Sequence, residues 1–181
     1  FSRLSAFSRN SGATKPLEFR LNALRRLKEA LLRHERALCD ALKADLNKTE
    51  METYMTEVGM VLEELSFHIR HLRRWAKPKA APTPLAQFHA KSFVMPEPYG
   101  VALIVSPWNY PVQLSLEPLV GAISAGNCAV IKPSAYTPAT SRAIAALVGP
   151  IFPKEYVAVV EGGRQENSAL LDQRFDYIFF T

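Results

Sequence analysis

The chain has 181 residues, of which 48% are hydrophobic and 22% charged, and a formal net charge of +5. This composition excludes a disordered chain and is sufficient for one domain or slightly more. No continuous apolar run approaches the ~20 residues of a membrane-spanning helix. Two distant cysteines, Cys39 and Cys128, exclude a disulfide scaffold and a cysteine zinc site, so we expect a cytoplasmic protein without a metal centre.

The positive charge is concentrated in the first 80 residues. Residues 1–80 contain 16 Lys or Arg and 10 Asp or Glu, whereas residues 81–181 contain 6 and 7. A basic region can indicate a nucleic-acid surface. Here acidic side chains such as Glu29 and Asp40 alternate with the basic ones, as on a solvated helix face, so we expect no nucleic-acid partner.

Residues 1–80 predict an N-terminal segment of two long amphipathic helices. Leucines three, four or seven apart predict the first over residues 17–46, with Thr14 and Pro16 at its start. Thr49 and Glu52 predict a capping box for the second helix. Its apolar stripe, which we interpret as core, comprises Met51, Met55, Val58, Leu62, Leu65, Ile69, Leu72 and Trp75.

A proline-rich segment separates these helices from the rest of the chain. Five of the 13 prolines lie between Pro78 and Pro98. An extended piece is expected around residues 88–95, either in a flexible linker or in a strand that leaves the domain to pair elsewhere. We assign residues 81–99 to this extended arm.

From residue 100 onward, apolar runs alternate with helical stretches. Two continuous apolar runs, at 101–105 and 128–131, predict parallel strands covered on both faces, and two further strands are predicted at 156–160 and 176–180. Helices are predicted at 112–125, 138–148 and 167–171. The predicted fold is α/β: N-terminal helices plus part of a doubly wound parallel, Rossmann-like sheet. A chain that begins with Phe and ends on an apolar strand is expected to be an excerpt, truncated after the fourth strand.

Three loops that follow predicted strands carry the polar residues of interest. They are Ser106-Pro-Trp-Asn-Tyr-Pro111, Lys132-Pro-Ser-Ala-Tyr-Thr-Pro138 and Glu161-Gly-Gly-Arg-Gln165. Open parallel sheets bind ligands at the carboxyl ends of their strands, so we expect a site formed by these loops. Neither G-x-G-x-x-G nor a Walker loop is present in the sequence, which disfavours the common nucleotide-binding fingerprints.

Two motifs in combination resemble those of the aldehyde dehydrogenase superfamily: Ser-Pro-Trp-Asn-Tyr-Pro and the later Ala-Gly-Asn-Cys-Ala-Val-Ile-Lys-Pro-Ser. Glu97-Pro-Tyr-Gly-Val and Glu117-Pro-Leu-Val-Gly-Ala look most like its class 3 branch, which acts on fatty and aromatic aldehydes. The resemblance spans essentially the whole chain. It implies oxidation of a small-molecule aldehyde to a carboxylic acid with NAD or NADP, through a cysteine thiohemiacetal. It also implies a homodimer, with residues 81–99 in the oligomerisation region and 100–181 as the first half of the cofactor domain.

The resemblance assigns a catalytic role to Asn109. The Asn of this motif donates a hydrogen bond to the oxygen that becomes negative during the reaction, a task suited to a neutral, preorganised N–H group. From the residues alone, an Asn that caps the helix beginning near Val112 is an equal alternative. Pro107 is expected to stiffen the loop. Trp108 and Tyr110 are expected to exclude water, and Tyr110 also to line the substrate site.

The resemblance also implies a cofactor site. Its residues are Ser106, Pro107, Trp108, Lys132, Ser134, Gly162 and Gly163. Lys132 is expected to bind the adenosine ribose, and the two glycines to pass under the adenine, although a plain turn explains the glycines equally well. The family often has Glu where this chain has Ala135. Without that carboxylate, the site has no acidic acceptor for the ribose hydroxyls of NAD and no negative charge to repel the 2′-phosphate of NADP. We therefore expect NADP to be tolerated or preferred.

The nucleophilic Cys and general-base Glu of the family are expected beyond Thr181. Cys39 and Cys128 fall in a helix and a buried strand, neither a setting that activates a thiol. This chain alone is therefore expected to be inactive. Two alternatives are a CoA-acylating or semialdehyde dehydrogenase of the same superfamily, and a non-enzymatic helical interaction module with a basic face.

Overall fold

Helices form the N-terminal part of the molecule. A computed structural model describes Leu4, Phe7 and residues 12–181. Helix α1 (Leu17–Leu46) has the predicted bounds. Pro16 precedes its first turn and no side chain caps it, so the expectation that Thr14 starts the helix is wrong, and Thr14 is instead buried. Asn47 ends α1 in the left-handed conformation, with φ of 56°.

The second predicted helix is divided into three segments. These are α2 (Glu50–Thr53), a π-helical turn (Tyr54–Val58) and α3 (Gly59–Trp75). The Thr49 hydroxyl accepts a hydrogen bond from Glu52 N–H at 3.1 Å, as a capping box requires of its first residue.

The predicted core stripe of this helix is partly wrong. Met51 and Met55 are 73% and 62% exposed. A π-helical turn has more residues per turn than an α-helix, so it shifts which side chains face inward. The buried side chains of this stretch are Thr53, Glu57, Val58, Val61, Leu65 and Leu72.

The proline-rich segment contains two short strands that pair with each other. Strands β1 (Lys79–Ala81) and β2 (Ser92–Val94) pair antiparallel, with a 3-10 turn at Leu85–Gln87 between them. The Thr83 hydroxyl accepts a hydrogen bond from Ser92 N–H at 2.9 Å, which ties the two strands together. Most side chains of this arm are exposed.

The four predicted strands form one parallel sheet. They are β3 (Val101–Val105), β4 (Cys128–Lys132), β5 (Val157–Val159) and β6 (Tyr177–Phe180). Their order is β5-β4-β3-β6, so the chain moves outward from β3 in one direction and then returns to its other side. This reversal beside β3 is the switch point of a doubly wound sheet, and it confirms the predicted α/β fold.

Three helices connect the strands of the sheet. They are α4 (Gln113–Ala125), α5 (Pro138–Val148) and α6 (Arg164–Leu171). Helix α6 begins three residues earlier than predicted, because Glu166 accepts a hydrogen bond from Gly163 N–H at its N-terminus. Helix α1 packs against α3, α4 and α5, so the N-terminal helices share one core with the sheet. No helix in the described part of the chain is both long and apolar enough to span a bilayer.

Candidate functional site

The loop after β3 is anchored at both ends by helix α4 and strand β4. Ser106 is buried; its Oγ lies 2.6 Å from Ser115 Oγ, and its N–H donates to the Lys132 carbonyl at 3.2 Å. Ser115 in turn donates to the Pro111 carbonyl at 2.6 Å. The four residues between Ser106 and Pro111 therefore form a short loop with fixed ends at the carboxyl edge of the sheet.

Asn109 lies exposed on this loop. Its Oδ1 accepts a hydrogen bond from Tyr110 N–H at 3.1 Å. Among the described residues, none accepts a hydrogen bond from Asn109 Nδ2, so this donor is available at the rim of the sheet. The alternative that Asn109 caps the following helix is wrong, because α4 has no capping side chain at its N-cap residue, Val112.

A buried ion pair lies beneath the loop. Glu57, fully buried, accepts hydrogen bonds from the N–H groups of Val112 at 2.7 Å and Gln113 at 3.2 Å. Lys48 Nζ lies 2.7 Å from Glu57 Oε1 and donates to the Asn109 carbonyl at 2.9 Å. Sequence reasoning missed both residues. An ionisable side chain inside an amphipathic helix, such as Glu57, is expected on its solvated face, and nothing nearby in the sequence indicates the π-helical turn. Lys48 lies in the short connection between α1 and α2, where a lysine is expected to be solvated.

A cleft of about 430 Å³ opens at the carboxyl ends of β3 and β4, beside the start of α6. It brings together Ser106, Lys132, Ser134 and Gly163 of the predicted cofactor residues, together with Ala135. A Cβ built on Gly163 would lie 4.0 Å from the Ala135 Cβ, so the loops after β4 and β5 approach each other to van der Waals distance at this point of the cleft. Sequence reasoning did not identify two further lining residues, Arg164 and Asn167.

Lys132 is the buried charge of this cleft. It is 2% exposed, and its Nζ donates to the Pro133 carbonyl at 2.7 Å. Burial lowers the pKa of Lys132, because a charged ammonium loses solvation inside the protein. The carboxylates of Glu166 and Glu161 act in the opposite direction and favour its charged form. Lys132 therefore provides an ammonium with unused donors at a cleft that Arg164 also lines.

The two glycines after β5 have different roles in the backbone. Gly162 has φ of +123° and lies against the Glu166 side chain, which a Cβ at this position would strike. Gly163 N–H donates to Glu166 Oε2 at 2.6 Å. Hydrogen bonds from the N–H groups of Glu166 itself and Gly163 lower the pKa of the Glu166 carboxyl. A tight turn into α6 thus explains Gly162, while Gly163 also lines the cleft.

Asn167 supplies an unused acceptor at the cleft. Its Oδ1 is buried and accepts no hydrogen bond from any residue within the described part of the chain. A buried polar atom without a partner costs free energy, so its presence beside a cleft indicates a position for a ligand donor. Its sequence context, in the first turn of a short helix, contains no signal of this role.

Four predicted residues do not line the cleft. Pro107, Trp108 and Tyr110 are on the Asn109 loop and do not line it, and neither does Gly162. Trp108 and Tyr110 are 54% and 40% exposed, so the exclusion of water that we expected from them is not achieved by the described residues.

Neither cysteine has the setting of a nucleophile. Cys39 and Cys128 are both buried thiols. Burial, followed by the charge of Glu35, raises the pKa of Cys39, which disfavours the reactive thiolate. Cys128 lies at the start of β4, the opposite end of the strand from the cleft.

Residues 5–181 match the model of the aldehyde dehydrogenase family. A Staphylococcus aureus protein, 4,4'-diaponeurosporen-aldehyde dehydrogenase, is 44% identical over 172 residues, which are 95% of this chain and 38% of that protein. Human aldehyde dehydrogenase family 3 member B1 is 42% identical over 172 residues, 95% of this chain and 37% of that protein. The chain thus spans less than two-fifths of these relatives.

Two solved structures share the fold. The substrate-bound state of Staphylococcus aureus AldH superposes with a TM-score of 0.96 at 43% identity, over 99% of this chain and 39% of that one. A Mycobacterium tuberculosis aldehyde dehydrogenase complexed with NAD⁺ has a TM-score of 0.81 at 20% identity, over 95% and 35%. At that identity the second comparison supports the fold alone.

Proposed function

This chain belongs to the aldehyde dehydrogenase family, and we propose that it is the N-terminal part of an enzyme that oxidises aldehydes to carboxylic acids with NAD or NADP. The observation that carries the proposal is the Asn109 amide, exposed with an unused donor on a loop fixed at both ends. The alternative of a non-enzymatic interaction module is disfavoured, because such a module does not require a fixed amide donor like that of Asn109.

The proposed role of Asn109 follows from the charge that the reaction creates. When a thiolate attacks an aldehyde, a carbon–sulfur bond forms and the carbonyl electron pair moves to the oxygen. A fixed, neutral N–H donor stabilises that oxygen without forming an ion pair with the uncharged substrate. Asn109 Nδ2 has this character, and Tyr110 N–H holds the other end of the amide.

The cleft between the loops fits the adenosine part of a dinucleotide. We propose that Lys132 and Ser134 donate to the ribose hydroxyls, and that the buried Asn167 Oδ1 accepts from one of them. Gly163 presents backbone without a side chain on the facing wall. When bound, the nicotinamide would supply the hydride acceptor; the residues of this chain would bind and orient the other end of the molecule.

Ala135 supports tolerance of, or preference for, NADP. It lines the cleft at the position where relatives of this family often carry a carboxylate, and Arg164 lines the same cleft. A 2′-phosphate placed there would meet a methyl group and two cations, Lys132 and Arg164, rather than a negative charge.

The nucleophile and the general base are proposed to lie outside residues 1–181. Both cysteines of this chain are buried, and the relatives are more than twice its length. We therefore propose that the chain alone does not oxidise aldehydes. Its organisation would be a helical segment (1–80), an arm (81–99) and half of a cofactor domain (100–181).

The arm supports the proposed homodimer. Phe93 and Val94 on β2 are 60% and 64% exposed, and Phe88 in the preceding turn is 75% exposed. Apolar side chains on a two-stranded sheet with free edges favour pairing with another chain. The cytoplasmic location stays a prediction.

Replacing Asn109 tests the proposal in the full-length enzyme. Asn109→Ala should lower kcat by roughly 10²–10³-fold, the loss typical of one oxyanion donor, with the KM of the cofactor unchanged. Asn22→Ala is a matched control, because Asn22 is an exposed amide on α1. An unchanged kcat in Asn109→Ala would contradict the proposed role.

A further inference from the structure

We propose that Lys48 and Glu57 are positioning residues for the reaction: together they hold the Asn109 loop in the geometry in which its amide faces the developing negative charge. This inference rests on the proposed role of Asn109. It concerns two side chains of the N-terminal helical segment, a part of the chain to which the sequence analysis assigned no function.

Lys48 is at the centre of the arrangement. Its Nζ has three contacts of different kinds: Glu57 Oε1 at 2.7 Å, the Asn109 carbonyl at 2.9 Å and the Tyr110 ring, whose centroid is 4.3 Å away. An ammonium has three N–H donors, and a carboxylate, a carbonyl and an aromatic face are all suitable partners. The Lys48 side chain is only 9% exposed, so water does not replace these partners. Lys48 therefore holds the peptide of Asn109 and the ring of Tyr110 from below.

Glu57 fixes the other end of the same loop. Its Oε1 accepts a hydrogen bond from Lys48 Nζ. Its Oε2 accepts hydrogen bonds from the N–H groups of Val112 and Gln113, at the start of helix α4. The Glu57 side chain is fully buried. One carboxylate thus connects the lysine beneath Asn109 to the helix that follows the loop. Charge-assisted hydrogen bonds of this kind are shorter and stronger than neutral ones, so they limit the movement of both groups.

Two backbone features bring the pair to this position. Asn47 ends α1 in the left-handed conformation, directly before Lys48. The π-helical turn at Tyr54–Val58 turns Glu57 inward, and Gly59 closes it: a Cβ at residue 59 would lie 2.6 Å from the Tyr54 carbonyl oxygen. A single π-helical turn inside an α-helix is frequently associated with a functional site. Burying a charged pair offers little stability compared with apolar side chains, so a role in orientation accounts for it better.

The consequence for the chemistry is geometric. The Lys48 hydrogen bond holds the backbone carbonyl of Asn109, and the donor that would meet the substrate is the side chain of the same residue. Small displacements of a catalytic group can cost up to about a hundredfold in rate. Loss of the pair should therefore reduce the contribution of Asn109 rather than the binding of the cofactor, whose cleft lies on the other loops.

A double-mutant cycle in the full-length enzyme tests this proposal. The variant Lys48→Met/Glu57→Gln removes both charges together and leaves an amide oxygen to accept the Val112 N–H. We expect kcat to fall by about tenfold or more, with cofactor Kd unchanged. In the Asn109→Ala background the same pair of changes should lower kcat by less than about threefold, because the donor that the pair positions is already absent.

The control is the exposed ion pair between Arg36 and Glu50, 3.3 Å apart. Arg36→Met should leave kcat unchanged in both backgrounds. An equal loss of kcat from the Lys48/Glu57 change with and without Asn109 would overturn the proposal, since it would show a general structural effect. If Asn109→Ala itself leaves kcat unchanged, the proposed function fails first, and the positioning role fails with it.

A second variant keeps the test valid if the double variant does not fold. Glu57→Asp retains the charge and shortens the side chain by one methylene, so it moves the loop without leaving an unpaired ammonium. It should lower kcat more than it raises the KM for the aldehyde, and Asn109→Ala should again abolish the difference. A kcat equal to that of the unmodified enzyme would contradict the proposal.

Discussion

The two loops at the carboxyl edge of the sheet are supported in opposite ways. The Asn109 loop is held by residues far away in sequence: Lys48 and Asn109 are 61 residues apart, and Glu57 and Val112 are 55 apart. The cleft is held locally, since Lys132 bonds the carbonyl of its neighbour Pro133 and Glu166 bonds Gly163, three residues away. The first loop therefore depends on how the N-terminal helices pack, whereas the second depends on its own strand and turn.

One buried lysine lies at each loop, Lys48 or Lys132, and each lysine can be replaced by Met with little change in side-chain length. The two variants therefore measure the difference in support between the loops. Lys48→Met leaves the fully buried Glu57 carboxylate without its cation. Removing one partner of a buried ion pair costs about 3–5 kcal/mol, so we expect a clear fall in the free energy of unfolding of the full-length protein, measured in urea. Adding Glu57→Gln should recover most of the loss. If Lys48→Met lowered the free energy of unfolding by less than about 1 kcal/mol, as for an exposed ion pair, the two loops would not differ in how they are supported.

Lys132→Met should affect cofactor affinity and leave the stability of the protein intact, the opposite of what we expect for Lys48→Met. Lys132 has no carboxylate within ion-pair distance among the described residues, and burial lowers its pKa. The variant is expected to unfold at the same or a higher temperature, while its affinity for the cofactor falls about tenfold through loss of a charged hydrogen bond.

The pH dependence of Lys132→Met provides a second measurement. Between its lowered pKa and the ordinary value of about 10.4, the unfolded chain binds more protons at Lys132 than the folded chain. The stability contribution of this residue therefore rises with pH through that window, and the Met variant should lack the rise. A large fall in stability for Lys132→Met would show that the two lysines have the same structural role.

The smallest expected effect concerns Ala135. Ala135→Glu places a carboxylate opposite Gly163 in the cleft, where it can accept ribose hydroxyls and repel a 2′-phosphate. The ratio of kcat/KM for NADP over NAD should fall about tenfold, equivalent to ~1.4 kcal/mol. A strong preference of the unmodified full-length enzyme for NAD would contradict the hypothesis on NADP before the variant is made.

Prediction from the sequence succeeds where the interactions are local. The bounds of α1 agree with the periodicity of its leucines, and those of α5 with the proline that starts it. The apolar runs give four parallel strands, and the residues after β4 and β5 lie at one cleft. In each case neighbours in sequence carry the signal: a continuous apolar run, a proline, or a pair of glycines.

Prediction fails where a residue behaves against its usual preference. Met51 and Met55 are apolar and exposed, while Glu57 and Lys48 are charged and buried. For Glu57 the cause is the π-helical turn, which changes the face of the helix and which residue type alone does not indicate. Lys48 lies in the connection before α2 and is buried by its long-range contacts with Glu57 and the Asn109 loop. The alternative that Asn109 caps α4 could not be decided from the sequence, because its competitor for the same N–H groups, Glu57, belongs to a different helix.

Residue chemistry and order along the chain are enough to specify the α/β architecture, its family and the loops that carry the candidate site, because hydrophobic periodicity and strand ends are local properties. Which charges lie beneath the Asn109 loop is decided when the N-terminal helices pack on the sheet. Long-range packing determines whether a buried charge finds a partner, and no short stretch of sequence contains that information.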